Sequence, residues 1–437
     1  MCHQLRLGLL LAICLFVAAP LHAQVGHILD AVGAVNQSMG GAGTGLPLDS
    51  IGALHWNPAS IGALPQSEVA FSFMGFSPTS RLSSTVQADA FGLGTPPSTL
   101  QGSTDSDVDV SPIPSLGLVF RDTGSPWTFG LGGFGIGGFG VDYPGGPNNP
   151  IVSPQPADGG MGFGAVYSNF QLMQFCPTVA YTFPSGLSIG VAPTFNWSSL
   201  AIDPFSAASP NPDGSYSGAS HADAAWGLGF QAGLFYQPLG RPWSIGASYK
   251  STQWFETYEM NGVDHVGAPR VLTMDMDYPS IISLGFGYVG LPRMAIACDV
   301  RYIDYANTQG FKTSGFDSTG AVTGFGWDSI WVFSNGIQFD LHPRCKWRVG
   351  YTYNTSPIDS STIFYNTPAP AIVQHHLSTG FTFDLGQGWN CTLSYHHGFK
   401  NTVSGPWQHP LAGSMAGTEV RHSLYTHSLS FGIAKTF

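Results

Sequence analysis

The sequence feature that most limits the possible folds of this chain is a series of strand-like segments. From residue 67 to the C-terminus, about fourteen segments alternate apolar with polar residues, which is the period of a β-strand that buries one face. In the last segment Tyr425, Leu429 and Phe431 share one face, while Ser428 and Ser430 share the other. The pattern predicts an all-β protein with strands at residues 67–91, 109–121, 126–138, 170–183, 186–200, 223–237, 242–254, 272–289, 292–306, 327–341, 345–355, 373–385, 388–400 and 421–437.

The connections between these segments alternate between short turns and long polar loops. Short turns are expected at residues 122–125, 184–185, 238–241, 290–291, 342–344 and 386–387. Long loops are expected at residues 92–108, 139–169, 201–222, 255–271, 307–326, 356–372 and 401–420. An even number of antiparallel strands joined in this way is typical of bacterial outer-membrane barrels, whose short turns face the periplasm. Both termini are then expected on the periplasmic side.

The composition agrees with a protein that faces lipid. Only 9% of the residues are charged, whereas a soluble domain carries about a quarter. No segment of the mature chain reaches about 18 uninterrupted apolar residues, so helical spans are excluded and only a closed barrel can cross a bilayer. We therefore predict a transmembrane antiparallel β-barrel of about 14 strands over residues 67–437, in the outer membrane of a Gram-negative type of cell.

The net charge of -11 argues against a nucleic-acid partner, and a chain that closes its own barrel is expected to be a monomer.

Two N-terminal regions precede the predicted barrel. Residues 1–23 have a basic start and a short apolar run, as a cleaved signal peptide has, and Ile13 disfavours the alternative of a lipoprotein acylated at Cys14. Residues 24–66 include a stretch, 36–64, that is too rich in glycine and other small residues for a core helix or a strand. We predict that residues 24–66 form a hatch inside the lumen.

Catalytic and metal-binding patterns are weak in this sequence. The spacing Gly130, Gly132, Gly135 lacks the helix and the acidic residue of a dinucleotide site, and no serine, histidine or aspartate stands in a recognisable nucleophile motif. The cysteines after the signal region fit neither a metal spacing nor a disulfide framework. Hairpin pairing would bring His376 near His396 on the lumen face, which suits a metal ion or a pH effect, but histidines at a barrel rim are the commoner case. We expect no enzyme activity, no cofactor and no metal.

Several motifs make the sequence resemble the FadL family of outer-membrane transporters for long-chain fatty acids and other hydrophobic compounds, including its TodX-type hydrocarbon channels. The similarity covers essentially the whole mature chain, and its most specific part is the Met-Gly-Gly-Ala-Gly run with the Asn-Pro-Ala element behind it. The residues that carry the resemblance are Ser38 to Gly43, Asp49, Trp56 to Ala59, Tyr278-Pro279, Gly285 to Tyr288, Asp299, Tyr302, Tyr305, Trp327, Gly336, Arg348 to Tyr351 and Ser356-Pro357. The terminal aromatic Phe437 resembles the signal by which the barrel assembly machinery recognises its substrates.

The resemblance implies a fourteen-stranded barrel with an N-terminal hatch and a lateral opening at a kink in the third strand. The third strand, 127–138, is loaded with glycine, and glycine marks bulges and bends. The alternative is that these small residues only pack against the hatch. The glycines concerned are Gly130, Gly132, Gly133, Gly135 and Gly137, with Gly138 at the end of the strand.

Further site residues are expected in the hatch, in one outer loop and in the lumen. The gate would be Asn57, Pro58 and Ala59 with Met39, Gly40 and Gly41, although the Asn-Pro-Ala turn would equally serve as an anchor to the wall. An outer apolar groove is expected within residues 161–175, part of which also fits the start of the next strand. Strand parity places two arginines in the lumen, where they would bind a fatty carboxylate or pair with Asp299. The predicted ligand-binding residues are Phe163, Tyr167, Phe170, Leu172, Met173, Arg301 and Arg348.

These observations favour passive uptake of a hydrophobic small molecule, a fatty acid or a hydrocarbon, with outer-membrane lipid around the barrel. A polar porin and a structural or adhesive barrel are the competing classes. The predicted hatch speaks against the porin, because an open channel has no need of a plug.

Overall fold

The computed structural model describes residues 25–122, 124–219 and 221–437, so the predicted signal peptide lies outside the described residues. Their wall is a closed antiparallel sheet: β1 (Glu68–Val86) pairs with β20 (Thr418–Thr436) on one side and with β2 (Leu100–Asp105) and β3 (Ser111–Arg121) on the other. The other wall strands are β4 (Trp127–Tyr143), β5 (Val166–Thr182), β6 (Leu187–Asp203), β7 (Asp223–Tyr236), β8 (Trp243–Lys250), β9 (Trp254–Phe255), β12 (Ile281–Leu291), β13 (Met294–Ile303), β14 (Ile330–His342), β15 (Cys345–Asn354), β16 (His375–Gly386) and β17 (Trp389–Gly405).

The described residues form fourteen spans, which confirms the predicted number. β2 and β3 both pair with β1 and are two parts of the second span, and β8 and β9 likewise both pair with β7. Each remaining wall strand pairs antiparallel with its neighbour in the chain. The described residues contain no helix that is long and apolar enough to cross a membrane.

Two short hairpins lie outside the wall. They are β10 (Tyr258–Val263) with β11 (Pro269–Met274), and β18 (Gln408–His409) with β19 (Gly413–Ser414). The first hairpin corrects a predicted boundary: residues 272–274 belong to it, and the wall strand that was expected from residue 272 begins at Ile281. A further correction concerns a turn, which lies at residues 292–293 rather than 290–291. The alternation of apolar and polar residues does not show which strand a segment will pair with. Errors in predicted strand boundaries are therefore expected where strands meet loops.

The two faces of the wall follow the predicted alternation. In β20 Leu429 and Phe431 are 63% and 44% exposed, whereas Ser428 and Ser430 are buried. Outward apolar and inward polar side chains are what a barrel in lipid requires. The first residue of β1 pairs with Thr436, the last of β20, so both ends of the wall lie at the edge that carries the short turns.

The N-terminal segment, residues 25–66, fills the lumen. It contains α1 (Ala34–Ser38), α2 (Ser50–Trp56) and a 3-10 helix (Pro58–Ala63). Asp49 caps α2, since its Oδ1 accepts a hydrogen bond of 3.2 Å from the Gly52 amide, and Asn57 caps the 3-10 helix in the same way with a bond of 3.1 Å from Ala59. These short helices have little stability of their own, so their order depends on contact with the wall. Outer loops add 3-10 helices at Pro150–Val152, Pro156–Asp158 and Ile363–Asn366.

Candidate functional site

Glycines on the inner face of the wall let the N-terminal segment approach it backbone to backbone. A Cβ atom at Gly350 would lie 2.0 Å from the Gly40 nitrogen, and one at Gly246 would lie 2.0 Å from the Thr44 carbonyl oxygen. Similar approaches to backbone atoms, all closer than real Cβ contacts, occur at Gly190, Gly285 and Gly336, and Gly233 makes room for the side chain of Asn57. Any side chain at these positions would occupy the space that the N-terminal segment now fills.

A buried ion pair also joins the wall to the segment. Oδ2 of Asp299 accepts hydrogen bonds from the amides of Gly43 and Thr44 at 2.8 and 2.9 Å, and from Nη2 of Arg301 at 2.7 Å. The guanidinium of Arg301 also donates to the Gly41 carbonyl at 2.5 Å and lies 3.6 Å from the ring centre of Trp56. Both side chains are at most 1% exposed. Three of the five hydrogen bonds that these two side chains make with described residues are therefore to the segment, and the other two are their mutual bond and one from Arg301 to Ser334.

Asn57 makes a similar contact three spans away along the wall, on β7. Its side-chain nitrogen donates to the carbonyl oxygens of Thr44 and Leu234, both at 3.0 Å, while its oxygen caps the 3-10 helix. Leu234 belongs to β7, and the Asn57 side chain is fully buried. One amide group thus ties two parts of the segment to the wall.

The Asp49 carboxyl is held in an environment that disfavours its charge. Burial, and secondarily the nearby Glu68, raise the pKa of Asp49 from 3.8 to about 7. Between these two values the folded protein keeps a proton that the unfolded chain releases, so the contribution of Asp49 to stability falls as pH rises through this window.

We therefore expect the segment to be held less firmly at pH 8 than at pH 5. The rate at which a protease cleaves residues 36–64 of the detergent-solubilised protein should rise with pH. The Asp49→Asn variant keeps a capping side chain but has no proton to lose, so its cleavage should vary less between the two conditions. An equal pH dependence in both proteins would contradict this role for Asp49.

The strand that follows the second span, β4, carries a bulge. Gly135 is opposite Met173 and Gly137 is opposite Leu172, so Ile136 is the extra residue. The start of the N-terminal segment lies beside this bulge: the Leu29 amide donates to the Ile136 carbonyl at 3.0 Å, and the Gly138 amide donates to the His27 carbonyl at 2.8 Å. Residues 27–29 thus bond to β4 where the strand is irregular.

An interval in the wall beside this bulge lacks the usual pairing. β3 pairs with β4 only from Ser115–Phe134 to Arg121–Thr128. Contact resumes farther along, where the Asp107 amide donates to the Asp142 carbonyl at 2.8 Å. Between these points the described residues contain no ladder between the second span and β4, and we call residues 108–114 with 135–141 the unpaired interval.

A cavity of about 450 Å³ meets the unpaired interval from inside. Ile113 and Phe139 line it from the two sides of the interval, Phe170 and Leu172 line it from β5, and Met74 lines it from β1. Its polar lining includes Asp30, His376 and His396. A cavity with both apolar and polar lining is therefore continuous with a place where the second span and β4 are not hydrogen-bonded to each other, and where β4 bonds to residues 27–29 instead.

The model of the outer membrane transport protein family that is described as OMPP1/FadL/TodX matches residues 16–405. The chain belongs to the FadL/TodX family. Its members are outer-membrane proteins, which agrees with the predicted localisation and barrel.

Solved structures of FadL/TodX proteins share the fold at low sequence identity. The Pseudomonas aeruginosa FadL homologue is 15% identical with a TM-score of 0.71, and the alignment covers 94% of this chain and 100% of that one. The Pseudomonas putida toluene transporter TodX is 16% identical with a TM-score of 0.66, covering 93% and 99%. The Ralstonia pickettii toluene transporter TbuX is 18% identical with a TM-score of 0.63, covering 93% and 99%. No curated protein matches the sequence significantly.

The structure brings some of the predicted FadL-type site residues together. Tyr167, Phe170, Leu172 and Met173 all line the cavity. They belong to β5, so this part of residues 161–175 is the start of the next strand, as the alternative had it, and its contact with a ligand stays a prediction. Phe163 lies outside β5 and packs against Tyr216 and Phe364, at ring separations of 6.3 and 5.6 Å.

The glycines predicted for the lateral opening divide into two groups. Gly135, Gly137 and Gly138 border the cavity. Gly130 and Gly132 precede the bulge. A Cβ atom at Gly130 would meet Leu54 of the N-terminal segment, as the packing alternative expects, whereas one at Gly132 would meet Phe134 of β4 itself. Gly133 has open space beside it, since no described atom lies within 4 Å of the position that a Cβ atom would take. β4 itself continues to Tyr143, five residues beyond the predicted end.

The two predicted arginines do not line the cavity. Arg301 pairs with Asp299, which confirms the alternative drawn from strand parity. Arg348 donates to Gln338 at 2.8 Å and to Thr382 at 2.6 Å, and so links neighbouring strands. Neither geometry presents a guanidinium to a ligand carboxylate.

The residues predicted for the gate lie where the N-terminal segment contacts the wall. Asn57, Pro58 and Ala59 form the turn against β6 and β7, and Met39, Gly40 and Gly41 form the turn after α1. Gly40 and Gly41 have φ angles of 63° and 76°, which favour glycine. Sequence reasoning missed Asp30 and His27, because a single acid and a single histidine in an irregular stretch carry no pattern.

Proposed function

We propose that this protein mediates passive uptake of hydrophobic small molecules, such as long-chain fatty acids or hydrocarbons. The observation that carries the proposal is the cavity that meets the unpaired interval of the wall and presents apolar side chains there, such as Ile113, Phe139 and Phe170. Two of the solved relatives are called toluene transporters, which supports the same class of solute. The buried N-terminal segment speaks against a polar porin, since the lumen is filled.

The path runs from the outer loops into the cavity and sideways through the unpaired interval into the membrane. An apolar solute that leaves in this direction remains out of water, which favours the step by about 25 cal/mol per Å² of apolar surface. No energy source is required. Residues 1–23 serve as the export signal, residues 24–66 act as the hatch, and the Asn57 turn, with the turn at Met39 to Gly41, sets its position.

The first test is the identity of what the protein carries. Native purification in mild detergent, followed by mass spectrometry of the extracted small molecules, should recover acyl chains or hydrocarbons in excess over the surrounding membrane lipid. If nothing apolar is enriched and planar bilayers carry a steady ionic current, the porin class replaces the transporter.

Filling the unpaired interval should slow uptake. A Cβ atom at Gly135 would lie 2.4 Å from a methyl carbon of Ile113 across the interval. Gly135→Leu therefore places a side chain in the proposed exit and should lower the initial uptake rate of a labelled hydrophobic solute by about tenfold.

Gly133→Leu is the matched control for this experiment. It adds the same side chain two residues away, where no described atom stands within 4 Å of the Cβ position. Uptake should stay near the wild-type rate in this control, with equal amounts of folded protein in both strains. Equal uptake in the Gly135 and Gly133 variants would exclude this exit.

The terminal aromatic is proposed as the signal for the barrel assembly machinery. Phe437 is 62% exposed and follows the last wall strand. Phe437→Ala should therefore reduce the folded fraction in the outer membrane without changing the stability of the purified barrel. Heat-modifiable migration in gels measures the first quantity, and urea titration measures the second.

A further inference from the structure

Three ionisable side chains from distant parts of the chain meet at the lining of the cavity. Asp30 belongs to the N-terminal segment, His376 to β16 and His396 to β17. Oδ2 of Asp30 lies 3.4 Å from Nδ1 of His396 and 3.6 Å from Nδ1 of His376. The histidine side chains are 3% and 4% exposed, and that of Asp30 is 11% exposed.

The hydrogen bonds of this cluster are incomplete. The two rings share one contact of 2.6 Å between Nδ1 of His376 and Nε2 of His396. Oδ2 of Asp30, Nδ1 of His396 and Nε2 of His376 are buried and have no hydrogen-bond partner among the described residues. Buried polar atoms nearly always have a hydrogen-bond partner, so three atoms without one in a single cluster require an explanation.

Separations in the cluster fit ligands around a common centre. Donor atoms at about 2.0–2.1 Å from a tetrahedral ion are roughly 3.4 Å apart, close to the 3.4 and 3.6 Å found between Asp30 and the histidines. These separations are longer than a hydrogen bond to a charged group. One donor atom from each of the three residues lies within 4.8 Å of the other two. The two Asp30 separations thus fit ligands of one ion, whereas the 2.6 Å contact between the rings is a hydrogen bond that a bound ion would replace.

We propose that Asp30, His376 and His396 bind a divalent first-row transition-metal ion such as Zn²⁺. Two imidazoles and one carboxylate are a common ligand set for such ions, and they leave a coordination position free. That position faces the cavity, because all three residues line it. The ion also joins the N-terminal segment to two wall strands, so it fixes the segment next to the bulge of β4. Metal binding is independent of the solute that the cavity carries.

The experiment uses the full mature chain without a histidine tag, purified in detergent and stripped with a chelator. Zn²⁺ is titrated in competition with a chromophoric chelator, and one ion per chain is expected. X-ray absorption of the zinc-loaded protein should show imidazole scattering from two histidines. A wild-type protein that binds no Zn²⁺, or binds it without imidazole ligands, overturns the proposal even if no variant folds.

Variants locate the site. His396→Gln and Asp30→Asn should each lower the affinity by about tenfold or more, since even the loss of a group that only orients a ligand has an effect of that size. Heat-modifiable migration shows that the variants are folded.

A second histidine pair provides the matched control. Nδ1 of His397 and Nδ1 of His427 lie 3.3 Å apart on the other face of the same region. His427→Gln should leave the affinity and the stoichiometry unchanged. If His427→Gln removes the bound ion while His396→Gln does not, the ion sits at this second pair and the proposal is wrong.

Discussion

Asp299→Ala is expected to lower the free energy of unfolding by about 3–5 kcal/mol, because it leaves the guanidinium of Arg301 buried without its counter-charge. The Asp299 carboxylate also accepts hydrogen bonds from the amides of Gly43 and Thr44, which lose their partner in the same variant. Urea unfolding of the protein in lipid vesicles, followed by tryptophan fluorescence, measures the change. The N-terminal segment should become accessible to protease before the wall unfolds.

An exposed ion pair in the same protein provides the control. Arg81 and Asp105 lie 3.4 Å apart with side chains 53% and 65% exposed. Asp105→Ala should lower the free energy of unfolding by less than about 1 kcal/mol, because an exposed ion pair contributes no more than that. The double variant Asp299→Ala, Arg301→Met should be less destabilised than Asp299→Ala alone, since the orphaned charge is gone. If Asp299→Ala and Asp105→Ala lower the free energy of unfolding by the same amount, the Asp299 pair does not hold the segment.

Gly350→Val is expected to displace the N-terminal segment and open the barrel to ions. A Cβ atom at this position would overlap the Gly40 backbone, at 2.0 Å from its nitrogen. Valine is well suited to a strand, so β15 should remain in the wall while the segment moves away. Single-channel recording in planar bilayers should then show a steady current several-fold above that of the wild type.

Gly133→Val serves as the comparison for this variant. No described atom lies within 4 Å of the Cβ position at Gly133, so the segment should stay in place and the current should stay at the wild-type level. A folded Gly350→Val barrel that conducts no more than the wild type would falsify the idea that the segment closes the lumen.

The wall could be predicted from sequence because its signal is local. Period-two alternation and the rhythm of short and long connections indicated fourteen strands, and parity put Arg301 and Asp299 on the inner face. The same local signal does not distinguish a wall strand from an outer hairpin, and so residues 272–274 were assigned to the wrong element.

The candidate site depends on contacts that the local pattern does not contain. Arg301 bonds to Gly41, 260 residues away in the chain, so parity alone could not decide between ligand binding and the commoner structural pairing. His376 and His396 were paired correctly through their hairpin, but Asp30 joins them only because the N-terminal segment is folded back into the lumen. The unpaired interval lies between two strands, the second span and β4. The glycines in the sequence indicated only the β4 side.

The position of the unpaired interval along β4 determines which half of the bilayer it reaches. β4 starts at Trp127, an exposed aromatic residue at the short-turn edge, and Gly135 follows eight residues later. At about 3.3 Å per residue and a tilt of about 40°, Gly135 stands roughly 20 Å above Trp127, within an apolar band about 25 Å tall. The interval therefore begins at the depth of the outer leaflet. A solute released there still has the inner leaflet to cross by its own diffusion, so flip between leaflets and desorption into the periplasm are steps that the barrel leaves to the lipid.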